Sequence, residues 1–429
     1  MIFYKFLFYF LFFQKMSTKF EIPEIAKEAI KNGVLPVTRL SVSAMKEFIS
    51  NPRIFFKKYI MLNFDLETSG AMLVGSAVHK ALEEYKKTEI ESGEILPLET
   101  VQNIGLVAFR RFVNEYRIKA IAKRLERDDV EVAVPEFYGD MTDEEVLAEL
   151  EKIEKKFFEN KPEIENEPFE DDLIKWGATT PREKCEEQIL LAIKNFLEFD
   201  EKIVGIYSPI ETEKTLEASM MDDDGTPLLP FKGVVDRIDE VDGKIEIVDY
   251  KVVSKFSDAN EVKGNYELQA GAYFLLISHF YAGRKIRKMR FIEILKSEPR
   301  FILPHDPDRR LLQKDLREIC DEHNLGWEKY EKNSELIDKL VFAKILVEEP
   351  CVREYIIDFE ENPHIVPTFE TMIRVILTQL ALSAMYDIPF LPNISDFFSG
   401  AESYKDFVEE MSGQNIQRDK TKADDYDGF

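Results

Sequence analysis

The stretch GVVDRIDEVDGKIEIVDYK, residues 233–251, decides the fold. Two apolar runs flank Val241-Asp242-Gly243, and an Asp-Gly pair between such runs is a strong hairpin signal because both residues tolerate positive φ. Leu229–Asp239 and Lys244–Val253 are therefore predicted to be antiparallel neighbours. Side chains two apart on a strand point the same way, so Asp249 and Lys251 share a face. The hairpin brings Asp236 to the same edge. Ile247 and Val248 predict a buried setting, and a buried acid is rarely left without a partner or a metal. Two acids and a lysine at one apolar sheet edge suit phosphodiester hydrolysis. A divalent cation held by carboxylates activates water there, and a lysine orients or deprotonates that water and offsets developing charge. Read singly, each acid would be a solvated strand-end residue.

Outward from the hairpin, helices are expected at 38–62 (interrupted at Pro52, with Ser41 or Ser43 as its cap), Leu73–Lys87, 101–127, 143–160, 183–200 and 262–282. Strands are expected at Ile206–Leu216 and Lys288–Leu295, with a turn at Met221–Gly225. Beyond 300 helices predominate, at 308–320, 325–347 and 368–386, with a last strand at 351–359. The fold class is α/β: a mixed central sheet flanked by helices, with a helical insertion and a helical C-terminal region. The core is placed at 38–300 with an acidic, helical insertion at 95–205, then a helical extension at 301–412. The tail, 413–429, lacks apolar content and reads as disordered.

In order along the chain stand Gly75-Ser-Ala-Val-His79, Gly233-Val-Val-Asp236, Asp249-Tyr250-Lys251 and Gln269-Ala-Gly-Ala-Tyr273. Each is weak alone. All four in this order, each on the expected type of element, resemble the PD-(D/E)XK nuclease superfamily, specifically its RecB-like exonuclease branch. Leu40-Ser41-Val-Ser43 followed by Asn51-Pro52 also looks like that branch's first helix. The resemblance implies a restriction-endonuclease-like core and Mg²⁺- or Mn²⁺-dependent cleavage of DNA, exonucleolytic, in recombination, repair or phage DNA metabolism. It implies His79, Asp236 and Asp249 as metal ligands with the Tyr250 carbonyl as a fourth. Lys251 becomes the catalytic lysine, and Gln269 and Tyr273 line the site. Glu211 or Glu213, on the preceding strand, matches an acid often found there, and the sequence does not choose between them. For His79 the plain alternative is a core histidine; for Gln269 and Tyr273 it is helix packing at i, i+4. A catalytically inactive subunit of the same fold, binding DNA or a partner protein, is the second functional reading.

Two departures matter. Asn51 stands where many relatives have a cysteine, and the three cysteines, at 185, 320 and 351, include no C-x-x-C pair, so no iron–sulfur cluster is expected. Gly70-Ala-Met-Leu-Val-Gly75-Ser76 lacks the lysine of a phosphate-binding loop, so a motor would come from a separate helicase or recombination partner.

The net charge of −25 opposes a polyanionic partner. Residues 126–172, however, hold 19 Asp/Glu against 5 Lys/Arg, more than half of that excess. Two stretches are basic, 105–127 and 284–300, each with seven Lys/Arg against two acids. They are the expected DNA-contacting surfaces, with solvated element faces as the alternative. Met1–Phe13 contains six Phe and one charge, too short to span a bilayer. The preferred reading takes Met16 as the initiator, with no membrane contact and an intracellular protein, phage-encoded as one option; a membrane anchor is the runner-up.

Overall fold

The computed structural model describes residues 22–61, 68–127, 141–160, 173–177, 180–203, 205–221, 227–257, 262–306 and 311–393, with isolated positions besides. The apolar leader, the 413–429 tail, most of the Met221–Gly225 turn and part of the acidic segment lie outside the described residues.

The hairpin forms as expected. Strand β5 (Pro227–Val241) pairs antiparallel with β6 (Lys244–Val253). Asp242 and Gly243 turn the chain at φ 51° and 72°, the left-handed pair that matches strand twist. β6 is central: its other edge pairs in parallel with β7 (Ile286–Leu295), which pairs antiparallel with β10 (Val352–Asp358). β4 (Ser208–Met221) runs antiparallel along the other edge of β5, and the two-residue β1 (Leu40–Ser41) pairs in parallel with Phe231 and Lys232 on the edge opposite β4, beyond the end of β6. The result is a mixed six-stranded sheet, and two short pairs stand apart from it: β2 (Thr68–Ser69) with β3 (Ile174–Lys175), parallel, and β8 (Phe301–Ile302) with β9 (Val347–Glu348), antiparallel.

Helices cover both faces because β6 and β7 are apolar at alternate and at adjacent positions. Ile245, Ile247, Met289 and Phe291 pack under α1 (Glu24–Lys31), α2 (Val42–Ser50), α8 (Glu267–Phe280) and α11 (Ile365–Tyr386). Val248, Tyr250, Ile292 and Ile294 pack under α4 (Gly70–Ser92), α5 (Leu98–Arg127) and α7 (Cys185–Ile203). Strands buried on both faces read as near-continuous apolar runs.

α2 is capped by the Ser41 hydroxyl, which accepts from the Ala44 amide at 3.1 Å. The chain restarts at Pro52 as the short α3 (Pro52–Phe55), followed by a wide turn over Phe56–Ile60. The insertion builds a satellite core, where the end of α5 packs on α6 (Asp143–Asn160) through Ile118, Leu125, Val146, Leu150 and Phe157.

The region past 300 divides in two. Residues 303–346 form a separate cluster around α9 (Gln313–Glu322) and α10 (Asn333–Phe342). β10 and α11 instead rejoin the central sheet and its core. The helix expected over 325–347 is shorter. Trp327 donates to Asp321 at 2.8 Å and holds the preceding loop, and Lys344, at φ 59°, turns the chain out of the helix. α11 is long and apolar enough to cross a membrane by composition. Its buried side, including Phe369, Ile373, Ile376, Leu377 and Leu380, lies in the core with α1 and α8.

Candidate active site

The ladder between β5 and β6 ends at Arg237↔Val248. Past that point the Tyr250 amide donates to the Asp236 carboxylate Oδ2 at 2.6 Å. The Thr212 hydroxyl on β4 donates to the Asp236 carbonyl at 3.0 Å. Side chain and main chain of Asp236 are thus both fixed where the strands part.

His79 reaches the same oxygen from α4, its Nδ1 lying 3.5 Å from Asp236 Oδ2. The Ser69 hydroxyl caps α4 by accepting from the Met72 amide. The helix buries Val74, Val78, Ala81, Leu82 and Tyr85, and His79 sits at the border of that stripe, half-buried.

Glu213 joins them. Its carboxylate, the His79 imidazole and the Asp236 carboxylate offer ligand atoms that all lie within 4.8 Å of one another. Glu213 has φ 44°, in the left-handed region, where a residue with a Cβ is strained by about 1–3 kcal/mol. Glu211 is turned elsewhere, toward Lys214 at 3.1 Å. The choice the sequence left open falls to Glu213 by position.

Asp249 and Lys251 form the second half of the site. Lys251 Nζ lies 2.5 Å from Asp249 Oδ2, and Gln269 Nε2 donates to Asp249 Oδ1 at 2.5 Å. Asp249 is buried, and its Oδ2 has no well-directed hydrogen bond. It stands outside the three-residue donor group. Tyr273, one turn beyond Gln269 on α8, donates to the Val234 carbonyl at 2.6 Å and so clamps β5 just before Asp236. Tyr250 contributes its amide to the site, while its ring lies on the sheet face covered by α4, 6.1 Å from the His79 ring, and its hydroxyl accepts from Arg237 at 2.9 Å.

These groups set one another's protonation. Burial pulls the His79 imidazolium down, but Asp236 and Asp249 outweigh it and lift the pKa to about 9. Burial, then the Asp236 charge, pushes Glu213 up to about 7. Burial opposes ionisation of Asp236, yet His79, Lys251 and the Tyr250 amide hold it below the usual carboxylate range. Asp249 lies above that range because burial and Asp236 exceed the help of Lys251. Burial disfavours the Lys251 ammonium, but the two aspartates keep it charged. Carboxylates that repel one another and an imidazole that keeps a proton between them make a cluster that a cation satisfies.

Gly233 explains the spacing of its motif. A Cβ there would lie 2.7 Å from Leu276 Cδ1, and 3.2 Å from both Tyr273 Cε1 and Val42 Cγ2. The glycine lets α8 and α2 close on the strand that carries Asp236. Gly233→Ala is expected to cost about 1–3 kcal/mol, seen as a lower denaturation midpoint at unchanged slope. An unchanged midpoint would mean that α8 has room to shift.

The two basic stretches do not form free strips. Within 105–127, Arg110 pairs with Glu186, Arg111 with Glu115 and Asp143, and Arg117 with Glu154. Within 284–300, Arg284 pairs with Glu240, Lys285 with Glu360 and Arg300 with Glu349. Arg290 is fully buried against Asp239 and Glu354. Glu115 within the first stretch, and acids that folding brings in from elsewhere, pair with these cations. A cation missed by composition, Lys46 on α2, lies within electrostatic reach of Lys251 and Asp249 instead.

Comparison with known proteins places these features. A family model for the PD-(D/E)XK nuclease superfamily matches residues 39–335. No curated protein matches the chain. Among solved structures, a crystal structure described as "Putative exonuclease" from Eubacterium rectale is similar over 82% of this chain and 83% of that one. Its identity is 13% and its TM-score 0.35, a likeness that carries no argument about activity.

Proposed function

We propose, because this chain belongs to the PD-(D/E)XK nuclease superfamily, that it hydrolyses phosphodiester bonds in DNA with Mg²⁺ or Mn²⁺. In this reading it is an exonuclease of the RecB-like branch, serving recombination, repair or phage DNA metabolism. His79, Asp236 and Asp249, with the Tyr250 carbonyl, would hold the cation, and Glu213 lies within reach of the first two. Carboxylate donors suit Mg²⁺ and Mn²⁺, and the imidazole adds a donor that Mn²⁺ accepts more readily. When bound, such an ion lowers the pKa of an attacking water and polarises the phosphoryl oxygen.

The protein's own groups have separate tasks. His79 must give up its proton for a cation to take its place. Lys251 stays charged beside Asp249, so it orients the nucleophile and offsets charge developing on the phosphoryl group rather than acting as the base. Gln269 holds Asp249 in place. Tyr273 fixes β5.

One observation carries this reading: a single oxygen, Asp236 Oδ2, meets both the Tyr250 amide and His79, with the Asp249–Lys251 pair on the adjoining strand. Four motifs scattered along the chain thereby converge where β5 and β6 part. The test is incubation of the purified chain with linear and covalently closed circular DNA in Mg²⁺, Mn²⁺ or EDTA. Linear DNA should be degraded in either metal and persist in EDTA, while the circle resists. Inertness in every metal would leave the inactive-subunit reading. Equal attack on the circle would remove the exonuclease.

A further inference from the structure

Most cations around this site already have a partner, and Lys46 differs. It lies on α2 one turn beyond Val42, whose Cγ2 abuts Gly233. This face of α2 therefore rests on the strand that carries Asp236. Val42 and Met45 beside it are buried, and Lys46 is half-buried. Its own helix offers no acid: positions three and four away are Ser43, Ile49, Val42 and Ser50. The adjacent Glu47 accepts from Lys58 at 2.6 Å. Lys46 forms no ion pair among the described residues, and the charges that act on its ammonium are those of Lys251 and Asp249. Burial depresses its ammonium most and the like charge of Lys251 next, with Asp249 countering in part.

Asp249, the acid whose charge reaches Lys46, is already engaged by Lys251 and Gln269. A partly desolvated charge without its own counter-ion carries a cost, and an anion entering beside both lysines removes it. A phosphodiester supplies such an anion with several acceptor oxygens, and a lysine binds it as a point charge.

We propose that Lys46 is a substrate-binding residue that contacts a backbone phosphate of the nucleic acid beside Lys251. This rests on the nuclease reading and adds to it a cation that neither the motifs nor the basic stretches contain. The contact is to backbone, so it acts on every sequence alike.

The test compares wild type with Lys46→Gln and Lys46→Arg for binding of a labelled linear DNA at several salt concentrations, with Ca²⁺ replacing Mg²⁺. Lys46→Gln should weaken binding about tenfold. The slope of log K against log salt should become shallower by about one. Lys46→Arg should keep the slope and most of the affinity. Without DNA both variants should melt no lower than wild type, and in Mg²⁺ the KM of Lys46→Gln should rise more than its kcat falls. Wild-type affinity and slope in Lys46→Gln would overturn the assignment and leave the nuclease reading standing. Weaker binding at an unchanged slope would also overturn it, since the residue would then act through its helix. A wild type that neither binds nor cuts DNA would overturn both.

Discussion

Asp236→Asn is expected to lower DNA cleavage by about 10³-fold or more while the protein remains folded. The amide keeps an oxygen that can accept from the Tyr250 N–H, so the parting of β5 and β6 survives. What it loses is charge. His79 then lacks the partner that contributes most to lifting its pKa to about 9, and the donor group keeps one carboxylate, Glu213, instead of two. The pair also stabilises the metal-free fold. A raised histidine pKa contributes stability that is fully present below the ordinary value of 6.5 and lost as the pH rises through about 9. The variant should therefore melt lower than wild type near pH 6, with the difference shrinking towards pH 9.

Metal addition separates this from a general defect. A ligand that binds only the native state at a hundred times its Kd adds about 2.7 kcal/mol. Mn²⁺ should raise the melting temperature of wild type and leave that of Asp236→Asn nearly unchanged. Lys251→Ala should differ, losing cleavage to a similar extent but keeping the Mn²⁺ shift. Cleavage by Asp236→Asn within tenfold of wild type would place the cation elsewhere. Loss of the Mn²⁺ shift in Lys251→Ala would make that lysine part of the metal-holding group.

Hairpin geometry explains why part of this site could be read in advance. A turn that needs positive φ at two successive residues announces itself as Asp242-Gly243, and strand periodicity then carries Asp249, Lys251 and Asp236 to one edge. Periodicity could not separate Glu211 from Glu213, because two residues apart on a strand means the same face. The left-handed backbone at Glu213 decides the matter, and no residue type marks it. His79 was legible only through the order of the motifs, since its partner lies on a strand more than a hundred residues away. Composition could not say how the basic stretches are paired, for a related reason. Charge counted along the chain ignores acids such as Glu186, Asp239 and Glu354 that folding brings to those arginines. Lys46 escaped because a single lysine on an amphipathic helix is ordinary until the helix is docked. β10 was legible as a strand, but not as part of the sheet, because its partner β7 comes before the whole 303–346 cluster.

Arg237→Met is expected to cost about 3–5 kcal/mol of stability, although Arg237 touches neither the metal donors nor Lys251. Its guanidinium donates to Asp239 at 2.8 Å and to the Tyr250 hydroxyl at 2.9 Å, and lies 3.8 Å from Asp200. Asp239 also accepts from Arg290 at 3.1 Å, and Arg290 in turn donates to Glu354. Asp200 accepts from Lys86 at 2.6 Å and from the Tyr85 hydroxyl at 3.1 Å. Three cations thus balance three acids in a buried chain from β10 through β7 and β5 to α7 and α4. Methionine fills most of the arginine's volume, so the loss should come from charge rather than from a cavity: Asp239 would keep one cation and Asp200 would rely on Lys86. Lys86 lies two turns along α4 from His79, and Tyr250 provides the amide that holds Asp236. The network therefore sets the distance between the two halves of the donor group, and a lower Mn²⁺ affinity should accompany the lower stability. Urea denaturation of Arg237→Met beside Asp200→Asn reads the first effect, and Mn²⁺ titration of the folded variants reads the second. A loss below about 1 kcal/mol would mean that the surrounding apolar packing alone fixes α4 on the sheet. A large loss with wild-type Mn²⁺ affinity would mean that α4 is held at His79 by its own contacts, and that the ionic chain beneath it serves the fold alone.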